Sequence, residues 1–312
     1  MYRESLAEND LAAPVQFDPA TLADNPTSRI AGFASAGLTI ATIVAMVFAW
    51  SKSQPNGHDI LSLLPTSPVF WAVFALFYVL VPASEWLMFR RLWALPAGGF
   101  AALLRKYVCN EVLLGYLGEA QFYGWARSRL NMNTAPFGAV KDVAIVSAMT
   151  GNVVTLVLLL AVWPLMKTSA IGLDLRGSFL SLSVVLASSF VVLFFRKRLF
   201  SLPAVDLRYI TLMHIGRIVA GLLLTALMWH LVLPTIGVAP WLMLATLRML
   251  VSRLPLVPNK DLVFAGLAMF TLGSEPQLAS MLAMMAALIL MAHIAVGLIG
   301  AVSGMVMTDK RA

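Results

Sequence analysis

Glu111 and Glu119 lie in an apolar stretch, NEVLLGYLGEAQ over residues 110–121, with Gly115 and Gly118 between them. A carboxylate in such a setting can accept hydrogen bonds from an amine or a hydroxyl, or carry a proton. It can equally cap a broken helix or pair with a nearby arginine. An ionised side chain at membrane depth costs roughly 2.5 to 3.5 kcal/mol even on permissive scales, so either use needs compensation. On one continuous helix Glu111, Gly115, Gly118 and Glu119 fall within about 100° of arc and make one small, acidic face. A lipid-facing helix would carry none of these residues. The stretch is therefore expected to dip into the membrane without simply crossing it.

Cations recur in the later apolar segments. His214, Arg217, Gly221 and Thr225 share one helix face by three- and four-residue spacing. The Arg217 guanidinium can hold a phosphate through two parallel N–H bonds, or neutralise Glu111, Glu119 or Asp142. Arg248 and Arg253 are five residues apart, about 140° around a continuous helix, and converge only if the backbone breaks near Pro255. With Lys260 and Asp261 they form the densest charged cluster in an apolar setting. One carboxylate cannot neutralise three cations, whereas an anionic substrate can. The candidate substrate-binding residues are Glu111, Glu119, Arg217, Arg248, Arg253, Lys260 and Asp261, and none is assigned a catalytic role.

Other polar residues have plainer expected uses. Asp142 is placed to cap the start of the next span, where a negative side chain suits the helix dipole. Ser147, Gly151 and Thr155 form a small-residue stripe for close helix packing, and Asn152 is placed to hydrogen-bond between helices. Glu85 is expected to pair with Arg90 or Arg91. Trp50, Trp86, Trp163, Trp229 and Trp241 lie near segment ends, as interfacial anchors do. The histidines lack ligand spacing such as HExxH, so no metal is expected. A lone cysteine, Cys109, excludes disulfides within the chain and CxxC redox chemistry. Neither a Walker loop, a GxSxG elbow nor a Rossmann glycine pattern occurs, and no cofactor is expected.

The elements that must hold these residues are helices in a bilayer. With 60% hydrophobic and 12% charged residues in 312, the chain has far more apolar surface than a soluble core needs. Six spans are read over 30–50, 69–89, 143–166, 179–195, 209–233 and 278–303, each near the roughly 20 residues that cross about 30 Å of hydrocarbon. The net charge of +7 comes from short basic clusters at segment ends, without the basic, aromatic-interleaved stripe of a nucleic-acid binder. With both termini cytoplasmic, 15 of the 22 Lys and Arg residues fall inside, 3 outside and 4 within the membrane. Lys106 is counted among the 15. Residues 1–29 are expected to form a polar, flexible cytoplasmic tail, 30–306 the transmembrane domain, and 307–312 a second cytoplasmic tail.

Two apolar segments, 100–126 and 241–273, would spoil this parity if either crossed once. The first has cytoplasmic bases at each end and two glycines mid-way; the second holds Pro255 and Pro258, which remove donors and bend the chain. Both are read as re-entrant hairpins, of opposite orientation, inside an all-α polytopic fold. Broken helices meeting at the midplane recur in proteins that move substrates across membranes.

Residues 110–127, with the Gly118-Glu119 pair, resemble the N…PxRxGExxR segment of the membrane-domain family of lysylphosphatidylglycerol synthases and flippases, typified by the multiple peptide resistance factor. AVKDVAIVSAMTGNVVTLVLL is similar to that family's next span, and SRLPLVPNKDLVFAGLAMF resembles its later Pro-x-x-Pro-Gly-Gly-x-Gly segment. Leu114 and Tyr116 stand where the first motif has proline and arginine, Phe122 where a second arginine is common, and Asn259-Lys260 replaces the Gly-Gly pair. Headgroup specificity therefore does not carry over. The resemblance implies a stand-alone, flippase-like module without the family's aminoacyl-transferase domain, with Glu119 as the motif carboxylate.

The expected function is translocation or headgroup binding of an anionic phospholipid, glycolipid or polyprenyl-linked substrate in a bacterial inner membrane. Membrane lipids are the expected partners, and a homo-oligomer is compatible with the fold. Two alternatives stand beside it: a membrane-embedded transferase acting on a lipid phosphate, and a non-catalytic partner subunit of an envelope lipid or polysaccharide machine.

Overall fold

A computed structural model describes residues 64–113, 117–129, 137–168, 200–253, 259–271 and 276–309. Every element among them is an α-helix: α1 (Pro68–Trp93), α2 (Gly98–Val112), α3 (Leu117–Arg129), α4 (Phe137–Thr168), α5 (Ala204–Val232), α6 (Val238–Ser252), α7 (Lys260–Thr271) and α8 (Pro276–Asp309). Local chemistry sets several ends. Pro68 opens α1 where no donor is needed, Arg90 and Arg91 close it against the helix dipole, and Ala94 ends it in the left-handed region at φ 52°.

Four described helices, α1, α4, α5 and α8, are long and apolar enough to cross a membrane. They coincide with four of the expected spans. The spans expected over 30–50 and 179–195 lie outside the described residues. Even α1, at 26 residues, is about 39 Å long, against about 30 Å of hydrocarbon. Rows of large apolar side chains face outward; Leu212 of α5 and Ile299 of α8 are 68% and 69% exposed. Lipid is the medium that suits such a surface.

The other four helices have 12 to 15 residues each, about 18 to 23 Å, too short to cross. They come as two packed pairs, α2 with α3 and α6 with α7. α1 and α5 lie against each other, and Arg91 in the last turn of α1 bonds Asp206 in the first turn of α5 at 3.3 Å, so they run antiparallel. One pair follows the end of α1 and the other the end of α5. The two pairs therefore start from opposite ends of the molecule.

Two apolar clusters bracket the middle. One joins Phe70, Phe74 and Phe77 of α1 to Trp229 of α5, Trp241 of α6, Phe264 of α7 and Met281 of α8. The other joins Met88 and Phe89 of α1 to Leu103 of α2, Phe122 of α3, Val143 of α4 and Ile210 of α5. Trp229 and Trp241, expected as interfacial anchors, are instead buried and in ring contact at 5.7 Å. Facing broken helices offer indole a packed core, which a span read in isolation cannot reveal.

Asp142 also departs from expectation. α4 begins at Phe137, so Asp142 lies beyond the first turn, and its carboxylate accepts from the backbone N–H groups of Ser201 and Leu202 at 2.6 and 2.8 Å. It fixes the chain entering α5, and thereby sets α4 and α5 side by side with their starts together.

Candidate functional site

Between the two apolar clusters lies a polar cavity of about 300 Å³. All seven residues expected at the site line it: Glu111, Glu119, Arg217, Arg248, Arg253, Lys260 and Asp261. Arg217 stands about 20 Å from the start of α5, near the middle of the span.

The cavity is built where the two broken pairs meet. The Asn259 N–H donates to the Glu111 carbonyl at 2.7 Å, joining the last turn of α2 to the residue before α7. Asn259 is buried at φ 47°, a conformation that asparagine tolerates better than most residues. The Lys260 amine donates to the Ser252 carbonyl at 2.9 Å and ties the start of α7 to the end of α6. On the other pair, Asn110 accepts from the Gly118 N–H at 2.8 Å, so the start of α3 sits against α2. Glycine is required there: a Cβ on Gly118 would run into the Lys106 carbonyl and lie 2.6 Å from Asn110 Oδ1.

Ion pairs join the helices around the cavity. The Lys106 amine contacts both Glu85 oxygens at 2.7 and 2.8 Å and Glu119 at 3.3 Å. Arg217 donates to Ser147 at 3.0 Å and has Glu85 at 3.8 Å. Arg248 and Asp261 pair at 2.5 Å across α6 and α7. Arg253 donates to Ser252, and its guanidinium rests on Gly151 of α4, where any Cβ would collide with it. The small-residue stripe thus opens room for an arginine as well as for helix packing.

Three expectations change. Glu85 pairs with Lys106 and not with Arg90 or Arg91, because it points inward, about 12 Å before the end of α1. Arg217 has Glu85 within 3.8 Å, a carboxylate that was not among Glu111, Glu119 and Asp142, the partners weighed beside a phosphate. The acidic face computed on a continuous helix does not exist, since α2 ends at Val112 and α3 starts at Leu117. Glu111 and Glu119 nevertheless reach one cavity from the two halves.

Sequence reasoning missed Glu85, Lys106, Tyr107, Asn110 and Ser147 as site residues. Lys106 is 3% exposed and central to the ion network, although its place beside Arg105 reads as a cytoplasmic cluster. Its signal was the four-residue spacing to Asn110, which puts both on the inner face of α2. Tyr107 reaches the cavity with Tyr78 and His293 behind it: Tyr78 Oη and His293 Nδ1 are hydrogen-bonded at 3.0 Å, and Tyr107 lies edge-on to both rings.

Among the described residues four cations, Arg217, Arg248, Arg253 and Lys260, line the cavity with four carboxylates, Glu85, Glu111, Glu119 and Asp261, and the buried Lys106 amine behind Glu85 and Glu119 brings the network to five cations against four carboxylates. The starts of α3 and α7 add their positive dipole ends. Such an arrangement attracts an anion. One oxygen of Glu119 is buried with no hydrogen-bond partner among the described residues, an acceptor left for a donor. Comparison of the chain with protein-family models, with curated proteins and with solved structures finds no significant match.

Proposed function

We propose that the chain binds the headgroup of an anionic amphiphile in this cavity and moves it between leaflets, in the manner of a flippase. The observation that carries the proposal is the charge network at mid-depth, in which, among the described residues, the cavity's four cations and the buried Lys106 face four carboxylates. Charge buried between apolar layers marks substrate pathways in membrane proteins, and one phosphodiester balances the excess. Arginines hold phosphate oxygens in pairs, and Glu119 accepts from a headgroup amine or hydroxyl. The acyl chains stay in lipid.

In this proposal the two short-helix pairs are re-entrant hairpins entering from opposite sides, within six spans and with both termini cytoplasmic. Their lengths, their opposed starts and the Asn259–Glu111 contact support it. A bacterial inner membrane follows from the resemblance to the lysylphosphatidylglycerol synthase and flippase family.

The test is lipid scrambling in proteoliposomes with headgroup-labelled anionic lipids. Wild type is expected to move at least one of them, and Glu119→Gln and Arg248→Ala to abolish the movement while remaining folded. Absence of movement with every lipid would overturn the proposal and favour a partner-subunit role.

A further inference from the structure

Among the four carboxylates of the cavity, Glu111 differs from the rest. Glu85 and Glu119 are held by Lys106, and Asp261 by Arg248, whereas Glu111 has no ion pair within 4.0 Å among the described residues. Its backbone is nonetheless pinned at the cationic wall. The Glu111 carbonyl accepts from Asn259, and Lys260 is the next residue, at the positive end of α7. Lys260 and Arg253 line the same cavity as Glu111, so an anion drawn to them shares that cavity with the Glu111 carboxylate and competes with it for the same cations. Two anions sharing one site favour a proton on one of them.

We infer that Glu111 is a proton-binding site coupled to the anion site, so that the protein takes up an anionic headgroup together with a proton. The proton comes from the buffered aqueous phase, bonds to a Glu111 oxygen, and makes that oxygen a donor toward the anion in place of a repelling charge. Alternating the two states couples movement of the headgroup to a proton gradient, which supplies an energy source without a nucleotide loop. The inference rests on the anion-site proposal above.

Other titratable groups face Glu111 and set the controls. One turn away on α2 is Tyr107, behind which stand Tyr78 of α1 and His293 of α8. Glu85 of α1, Glu119 of α3 and Asp261 of α7 are carboxylates already held by cations; Arg217 of α5 and Arg248 of α6 keep their charge throughout. From α4 the cavity receives Ser147, which does not titrate. His293 has the ordinary range closest to neutrality, so it is the rival proton site.

The experiment is calorimetric binding to the full-length chain in nanodiscs, between about pH 5 and about pH 8, where a phosphodiester keeps one negative charge. Two probes separate a free anion from a lipid headgroup: soluble glycerophosphoglycerol, and phosphatidylglycerol titrated into phosphatidylcholine discs. The linkage is read on whichever binds. Wild type should bind tighter at lower pH, by about 5- to 100-fold across the transition, and take up a fraction of a proton to about one proton per anion in buffers of different ionisation heat. Glu111→Gln, fixed in the neutral state, should bind at every pH as tightly as wild type does at low pH, without proton uptake. His293→Gln should keep the wild-type linkage.

Equal affinity of Glu111→Gln and wild type at all pH values, or weaker binding by the variant, would overturn the inference and leave the anion site standing. Loss of the linkage in His293→Gln would also overturn it. Failure of wild type to bind either probe would overturn the anion site itself, and the inference with it.

Discussion

Lys106 shows how far one residue can differ from its surroundings in sequence. It neighbours Arg105 and reads as part of a cytoplasmic cluster, yet its amine is buried between Glu85 and Glu119 and joins α1, α2 and α3. Removing one member of a buried ion group leaves uncompensated charge. Lys106→Met is therefore expected to lose ~3–5 kcal/mol of stability, and Lys106→Met with Glu85→Gln to recover part of it. Thermal unfolding in detergent measures both, and a wild-type midpoint for the single variant would contradict the account. Gly151 gives a second prediction. A methyl group there displaces the Arg253 guanidinium, so Gly151→Ala should weaken binding of phosphatidylglycerol about tenfold or more while the protein stays folded. Unchanged binding would remove Arg253 from the site. That the seven candidate residues share one cavity was foreshadowed in the sequence, because charge in an apolar stretch is rare and costly. Glu85 and Lys106 were not, because each also fits a cluster at a segment end.

At the scale of elements, the two broken pairs carry the site. Their breaks were legible from Gly115 and Gly118, which weaken a helix, and from Pro255 and Pro258, which remove donors and bend the chain. Their meeting was not legible. It rests on one backbone hydrogen bond between residues 148 positions apart (259 − 111), and no local pattern encodes that contact. Asn259, at φ 47°, gives the element its test. Asn259→Gly should fold within a few tenths of a kcal/mol of wild type, whereas Asn259→Val should cost about 1–3 kcal/mol, because a β-branched residue resists positive φ. Equal midpoints for the two variants would show that the turn does not hold this geometry. Gly118→Ala should also destabilise, by about 1–3 kcal/mol, as the start of α3 is pushed from α2.

At the scale of the molecule, hydropathy located four helices long and apolar enough to cross a membrane, with ends within about six residues, since a helix in lipid must be apolar over a fixed length. The layering was less visible. That Phe70 and Trp241 share one cluster, Phe89 and Phe122 another, and the charges lie between them, depends on how antiparallel α1 and α5 bring distant residues level. This arrangement predicts topology. In a Cys109→Ala background, single cysteines at Ala97, after α1, and Thr235, after α5, should react with an impermeant thiol reagent from opposite faces of the membrane. Reaction of both from one face would contradict the proposal that the two helix pairs enter from opposite sides.

The central claim, that the cavity between the broken helices holds an anionic headgroup, is tested most directly by native mass spectrometry of protein released from discs containing equal phosphatidylglycerol and phosphatidylethanolamine. Wild type is predicted to retain phosphatidylglycerol in preference, and Arg217→Gln and Lys260→Gln to lose that preference with their fold intact. Equal retention of the two lipids by wild type, or an unchanged preference in both variants, would contradict it.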